Sequence, residues 1–528
     1  MLDIAAEMKP GEERVCAIGD VPLRIDEIVG LANGTLRPAL ASGARDRMKR
    51  SADILCGLHA RGGDIYGVTT SVGGSVGTQV PPEHASRLSL NVMRMHGVGT
   101  GRILDDVESA AVIATRLSSL AQGFSGIRPE IAERLIELLE ARVLPRIPSE
   151  GSVGASGDLT PLSYVAAVLV GEREVNFHGR EMAAEVALRE LGLAPLELLP
   201  KESLALMNGT SMTTALACLC WSRARRLARV ASTLTAMTSI AIDGNPTHFD
   251  SRIHAAKPHP GQRRVAQWIR DDLEGMETSK PPARLQDRYS VRCAPQIIGV
   301  LVDALAWAET TIETELNGVS DNPIVDIETE SVLHGGNFYG GHIGFVCDAL
   351  KTAVANVADL LDRQVMLLCN PAENAGLPAD LVGVTGPDAC AHNGFKAASI
   401  AASSLTAEAM KQTMPASAFS RSTELHNQDK VPMATTAARD LIRVLDLSEQ
   451  VVGISLLASC QALDLRDATG TGNAAQLREA VRAVVPMLHE DRRMDQDQAA
   501  VVELLGSDAL VPGNLDSNYL ASPDSDRV

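Results

Sequence analysis

Most side chains that could do chemistry in this 528-residue chain sit in short polar stretches set into an aliphatic background. The densest is Gly151-Ser-Val-Gly-Ala-Ser-Gly-Asp-Leu-Thr-Pro-Leu162, centred on Ala155-Ser156-Gly157. Three small residues in a Gly/Ser-rich loop ordinarily make only a turn. The other stretches are Tyr66-Gly-Val-Thr-Thr70, Asn208-Gly-Thr210, Gln286-Asp-Arg-Tyr289-Ser-Val-Arg292, Ser320-Asp-Asn-Pro323, Gly335-Gly-Asn337-Phe338-Tyr339-Gly340 and Glu424-Leu-His426-Asn427-Gln428-Asp429. Each taken singly could be a cap or a turn, and Ser320-Asp-Asn-Pro323 is first of all a helix-stop signal. Tyr66 and Arg292, taken singly, are an ordinary loop tyrosine and a surface arginine within reach of Asp287.

Taken together, in this order and spacing, these stretches resemble the ammonia-lyases and aminomutases that act on aromatic amino acids, over about residues 25 to 500. The resemblance implies a prosthetic group made from the chain itself, 4-methylideneimidazole-5-one (MIO). The backbone nitrogen of Gly157 attacks the carbonyl carbon of Ala155, and two waters leave, one taking the Ser156 hydroxyl. The residue types suit this: Gly offers an unhindered nitrogen and free φ/ψ, Ala an uncrowded carbonyl, Ser the departing oxygen. Asp158 would help to hold the strained loop. The implied reaction is loss of ammonia from an amino acid, with the MIO as electrophile for the amine and Tyr66 as the base that removes the Cβ proton. Arg292 matches the family's carboxylate clamp. Asn208, Gln286, Tyr289 and Asn337 match positions that hold the MIO, the carboxylate or the amine, and Phe338 a ring beside the MIO. Glu424, Asn427 and Gln428 join the substrate-contacting set.

Two places in the family bear on the substrate ring. Met95-His96 stands where phenylalanine lyases resemble Phe-Leu and histidine lyases Ser-His, so it departs from both. Met is apolar and adaptable, and His96 could donate to a para-hydroxyl. Aligned on Val431-Pro432-Met433, Gln428 stands where histidine lyases resemble a Glu that grips the imidazole, and Tyr339 where they resemble a His. Both point to tyrosine or phenylalanine, giving coumarate or cinnamate, with histidine lyase and 2,3-aminomutase as alternatives. A non-catalytic helical scaffold is opposed by the intact Ala155-Ser156-Gly157 and Tyr66. At this length the chain lacks the long insertion of plant and fungal phenylalanine lyases and looks bacterial in type.

The elements that must carry these residues are mainly helical. Aromatics make up only 3% of the chain, so the core must be aliphatic, which favours helix-on-helix packing. A net charge of −18 argues against a nucleic-acid partner. The nine cysteines are scattered and read as reduced core residues of a cytoplasmic protein; Cys218-x-Cys220 lacks partners at zinc spacing, so no metal is expected. No signal peptide and no membrane span are expected.

Along the chain, Arg45 to His59 is amphipathic, and Ile65 to Gly74 reads as a short strand entering a mobile loop. Residues 83–122 are helical in period with a break at Gly97-Val-Gly-Thr-Gly101, and Pro129 opens a helix with Ile131, Leu135, Leu138 and Leu139 on one face. Beyond residue 201 long helices dominate, on the spacing of Ile298, Leu301, Leu305, Ala308, Ile312 and Leu316 and of Leu350, Val354, Val357, Leu361, Val365 and Leu368, with further candidates at 396–412 and 438–465. The expected architecture is a mainly α, long-helix bundle over residues 201–520, which is also the oligomerisation core. A smaller mixed N-terminal domain over 1–200 carries the Tyr66 and MIO loops, and 521–528 form a disordered tail. Helices apolar nearly all round imply burial by subunit association, here a homotetramer. The charged stretch from about 271 to 288 is the second candidate mobile loop.

Overall fold

The computed structural model describes residues 14–274 and 282–506, so the tail and part of the charged 271–288 stretch lie outside the described residues. The architecture is mainly α, a helix bundle with a few short strands, as the aliphatic composition predicts. The chain divides into two compact units, each assembled from separate stretches. The first comprises Met1–Ser222, Glu309–Cys347 and Pro415–Arg439; the second comprises Arg223–Ala308, Asp348–Met414 and Asp440–Val528.

In the first unit the helix Asp106–Ala121 lies at the centre, packed by the helices Ile25–Asn33 and Pro129–Glu140. A reciprocal cap starts it: the Asp105 carboxylate accepts the Glu108 N–H at 2.8 Å, and the Glu108 carboxylate accepts the Asp105 N–H at 2.9 Å. Ala110, Ala111, Val112, Ile113, Ala114, Leu117 and Leu120 are all fully buried. Their small and branched side chains let neighbouring backbones approach, and each buried Val, Leu or Ile contributes about 1.5–3 kcal/mol. Helix Pro129–Glu140 buries Ile131, Leu135, Leu138 and Leu139, the face its spacing predicts.

The break at Gly97–Gly101 leads into a strand, Thr100–Ile103, paired antiparallel with Pro148–Glu150. That pair delivers the chain into the Gly151–Asp158 loop, and the buried helix Leu159–Leu169 receives it. The strand expected at Ile65–Gly74 is instead a turn. The Ile65 carbonyl accepts N–H bonds from Val68, Thr69 and Thr70, and Gly67 is left-handed at φ +69°. The Thr69 hydroxyl decides it by accepting the Ile65 N–H at 2.7 Å and donating to the Gly63 carbonyl at 2.8 Å, local bonds that outcompete a ladder.

The long helices are Ser211–Ala241, Ala294–Leu316, Gly341–Cys369 and Ala434–Leu465. Both periodic sets named from the sequence are buried, with no member above 1% exposure. Within the single chain, helix Lys396–Lys411 buries one face. Only the stripe Ala402, Thr406, Ala409 is buried, while Ile400 is 66% exposed. All nine cysteines are free thiols, and Cys56 and Cys390 are exposed rather than in the core. No helix among the described residues is long and apolar enough to cross a membrane.

Candidate active site

The Ala155-Ser156-Gly157 loop is held from below by a second glycine. Gly157 pairs in parallel with Gly209, and Ala155 bridges to Gly157 across the tight bend between them. Gly157 is left-handed at φ +74°, and a Cβ there would lie 2.3 Å from the Gly209 carbonyl oxygen, so only glycine fits. The next residue, Asp158, stands where an acid usually caps the helix that follows, yet makes no such cap. Its carboxylate instead accepts the Thr213 N–H at 2.8 Å and the hydroxyls of Thr213 and Thr435 at 3.0 Å. Burial pushes this carboxyl up to about 6, against the pull of those three donors.

Asn208 and Gly209 are fixed by buried charge. Arg116, wholly buried in the helix Asp106–Ala121, donates through Nη1 to the Asn208 carbonyl at 3.2 Å and the Ser320 carbonyl at 3.1 Å. Burial lowers its guanidinium to about 10, which still leaves it charged at neutral pH. Asp321 and Asp158 supply the compensating field. Lys201 and Asp321 form a fully buried pair at 2.7 Å. The Asn208 amide donates to the Asn322 carbonyl at 3.0 Å, while its buried Oδ1 bonds no described residue. Thr210 donates to half-buried Glu315 at 2.6 Å, and the loss of solvent raises that carboxyl.

Tyr66 lies in the turn described above. Its phenol oxygen accepts the Gly73 N–H at 2.7 Å, and its own N–H donates to His334 Nε2 at 3.3 Å. Burial raises the phenol above its ordinary range, the Gly73 N–H pulls it back down, and the nearby Glu424 carboxylate raises it further. Glu424 accepts the Gly74 N–H through both oxygens at 2.8 Å.

The Thr423–Gln428 segment folds back on itself, the two residues pairing antiparallel. Thr423 donates its hydroxyl to Gln428 Oε1 at 2.8 Å, which turns Gln428 Nε2 toward the Ser156 hydroxyl at 3.4 Å. Asn427 is exposed. Met95, 55% exposed, and His96 end the helix Ala85–His96, with His96 Nδ1 2.7 Å from the Val92 carbonyl. Asn337 is exposed and its carbonyl accepts the Ser320 hydroxyl at 3.3 Å; Phe338 is half-buried.

Gln286, Tyr289 and Arg292 belong to the second unit. Arg292 stacks its guanidinium 4.5 Å over the Tyr289 ring and donates Nε to the Asp287 backbone carbonyl at 3.0 Å. The carboxylate of Asp287 is engaged elsewhere, by the Asn245 N–H at 2.8 Å, so the surface ion pair with Arg292 does not form. The Asp287 N–H donates to His248 Nε2 at 3.0 Å. Gln286 and Tyr289 are exposed.

Sequence reasoning missed Arg116, Lys201, Glu315, His334 and His248. Arg116 left a signal, a lone cation inside the apolar run Ala110–Leu120. The others lie in polar surroundings where nothing local distinguishes them.

The first unit joins a small-residue loop, Ala155-Ser156-Gly157, to a half-buried phenol, Tyr66, within a mainly helical fold. The sequence model described as aromatic amino acid lyase covers residues 23–485, and the chain belongs to that family, whose members are carbon–nitrogen lyases. It is 37% identical to the histidine ammonia-lyase of Sorangium cellulosum, over 93% of this chain and 97% of that one. Among solved structures, tyrosine aminomutase from Streptomyces globisporus superposes at TM-score 0.87 with 33% identity, covering 93% of this chain and 97% of the other. Histidine ammonia-lyase from Trypanosoma cruzi superposes at 0.86 with 32% identity, covering 94% of each.

These relatives correct the substrate expected from the sequence. Further proteins at 35–36% identity are also histidine ammonia-lyases, which overturns the reading of a tyrosine or phenylalanine lyase, with its coumarate or cinnamate product. The error was to treat loss of the anion at Gln428 as loss of imidazole recognition. A free imidazole titrates at about 6.5 and is mostly neutral at pH 7, so it needs a donor and an acceptor rather than a negative charge. An amide supplies both.

Proposed function

We propose that this protein is a histidine ammonia-lyase, eliminating ammonia from L-histidine to leave urocanate. The observation that carries the reading is the end-to-end similarity to histidine ammonia-lyases. We further propose that Ala155-Ser156-Gly157 cyclises to the MIO. The loop fits that group: Gly157 is left-handed with its nitrogen unhindered, Ala155 is bridged to it, and the Gly209 backbone leaves no room for a side chain. The MIO would supply an electrophile for the substrate amine.

The protein's own side chains do the rest. Tyr66 takes the Cβ proton onto its phenol oxygen, whose negative charge the Gly73 N–H stabilises. Arg292, its Nε already committed to Asp287, offers its terminal nitrogens as a fork to the substrate carboxylate. Tyr289 supports that fork from beneath. Gln428, Met95 and His96 contact the imidazole, Gln428 by hydrogen bond. Asn208 and Asn337 hold the MIO or the amine, Phe338 packs beside it, and Gln286, Glu424 and Asn427 complete the set. A cytoplasmic homotetramer is part of the same proposal. Its support is nine free thiols and apolar side chains left open in the second unit, such as Ile400, Met414 (64% exposed) and Val300 (59% exposed).

The test is to incubate the purified protein with L-histidine and follow urocanate by ultraviolet absorbance. Release of urocanate, with an intact mass two waters below the encoded chain that returns in Ser156→Ala, is the expected result. Silence on histidine sinks the lyase reading. The likeness to tyrosine aminomutase favours a second reading, migration of the amine to Cβ. A β-amino acid detected by mass spectrometry in place of urocanate would establish it.

A further inference from the structure

We propose that Glu424 is a positioning residue for Tyr66: its carboxylate straps the Gly73–Gly74 turn so that the Gly73 N–H is aimed at the Tyr66 phenol oxygen. This rests on Tyr66 being the base.

The turn sits at the tip of a fold-back whose flanks are closed by the Ser71 N–H to Thr78 at 2.9 Å and the Val80 N–H to Thr69 at 2.8 Å. Gly73–Ser75 is a single 3-10 turn, closed by the Ser75 N–H to Val72 at 3.2 Å and the Val76 N–H to Gly73 at 3.1 Å. One such turn fixes several dihedrals for little return and is unstable in isolation. Its outside anchor comes from 350 residues away, where both Glu424 oxygens sit 2.8 Å from the Gly74 nitrogen. Gly73 is left-handed at φ +60°, and a Cβ there would lie 2.4 Å from Glu424 Oε1, so the glycine both makes the bend and admits the carboxylate. The immediate consequence is the 2.7 Å bond from the Gly73 N–H to Tyr66 Oη.

The other side of the strap is itself strained. Glu424, Leu425 and His426 are all left-handed, at φ 52°, 56° and 64°. Non-glycine residues persist there only where surrounding bonds insist, and such runs gather at functional sites. Here the insistence comes from the Thr423–Gln428 pairing, at 3.0 and 3.3 Å between backbones, and from Ser422 against His426 Nδ1 at 2.7 Å. The same fold-back that carries Glu424 to the Tyr66 turn carries Gln428 to Ser156. One short segment therefore sets both the base and the small-residue loop.

Glu424 acts on the phenol in two opposed ways. Through the strap it keeps a donor on the oxygen, which favours the phenolate; through its charge it disfavours the phenolate. The other groups facing Tyr66 are the Gly73 N–H and His334, which accepts the Tyr66 backbone N–H. Two substitutions separate the effects. Glu424→Gln keeps an acceptor for Gly74 and removes the charge, so the rising limb of kcat/KM against pH moves to lower pH by roughly half a unit to one unit. Glu424→Ala removes the charge and the strap together; the lost Gly73 donor outweighs the lost charge, so the limb moves to higher pH and kcat falls by about tenfold. Gly73→Ala, which displaces the carboxylate, follows Glu424→Ala.

The measurement is the pH profile on L-histidine for wild type and variants. Alongside it, tyrosinate absorbance is titrated as the difference from the same protein carrying Tyr66→Phe. The optical titration needs no turnover, so it reads Tyr66 even if histidine proves not to be the substrate. Opposite shifts for Glu424→Gln and Glu424→Ala support the strap. Shifts of the same sign, or unmoved limbs whatever happens to KM, overturn it.

Discussion

Asp158 donates its backbone N–H to the Gly209 carbonyl at 2.6 Å, while its carboxylate reaches away to Thr213 and Thr435. The acid that would ordinarily cap the helix Leu159–Leu169 is spent instead on tying the small-residue loop to its neighbours. The loop's shape is therefore a tertiary product, built where two glycine backbones meet.

That contact predicts the effect of Gly209→Ala. A Cβ at Gly209 would lie 2.3 Å from Arg116 Nη1, at φ +153°, and would push the Gly209 peptide off Gly157. A displacement of about 1 Å costs on the order of a hundredfold in a positioned reaction. The expected outcome is loss of the two-water mass deficit from most of the protein, with activity down by about that factor, while far-ultraviolet circular dichroism is unchanged. Intact-mass spectrometry checks it.

Asp158 carries a pH signature of its own. Its folded-state value is raised from 3.8 to about 6, so between those values the native protein holds a proton that the unfolded chain has released. Stability from this group is complete below the lower value and falls as pH rises through the window, by at most about 3 kcal/mol. Asp158→Asn abolishes that slope. Urea midpoints for both proteins across the window test it, and the difference between variant and wild type must grow with pH.

Tyr66→Phe removes the proposed base and leaves the loop chemistry alone. Activity on L-histidine falls by about 10²–10⁴-fold, with the two-water deficit intact. A variant that lost the deficit as well would show Tyr66 acting in cyclisation rather than in turnover.

The fork proposed at Arg292 depends on a histidine that does not touch it. His248 Nε2 accepts the Asp287 N–H, and the Asp287 carbonyl accepts Arg292 Nε. Burial lowers the His248 imidazole, which keeps it a neutral acceptor. His248→Leu loses the acceptor and raises KM for L-histidine by about three- to tenfold, the worth of one hydrogen bond, while His248→Gln stays near wild type. Inhibition by histamine, which has no carboxylate, stays unchanged in both, so inhibition constants separate a loosened fork from general damage.

Lys201 and Asp321 set the stability scale beneath the loop. Asp321→Asn strands a fully buried ammonium close to Arg116 and costs about 3–5 kcal/mol by urea unfolding. Glu172→Gln, at the half-exposed pair with Arg94, leaves the urea midpoint close to that of wild type. Equal costs would show that the buried pair is open to water.

Much of the fold is legible because helix periodicity is local. The spacing of Ile298 to Leu316 and of Leu350 to Leu368 states which face is buried, and those faces are buried. The turn at Tyr66 was misread because β-branched residues signal a strand, whereas Thr69 closes a turn with its hydroxyl.

By itself the sequence determined the reaction class. Ala155-Ser156-Gly157, Tyr66 and Arg292 are chemical types whose order and spacing survive without coordinates. Only the tertiary structure decided how they are held: Gly209 against Gly157, buried Arg116 on the Asn208 carbonyl, Glu424 on the turn before Tyr66. The physical reason is range. A period or a motif is written in neighbouring residues, whereas a hydrogen bond between positions 350 apart exists only once burial has closed the loop between them.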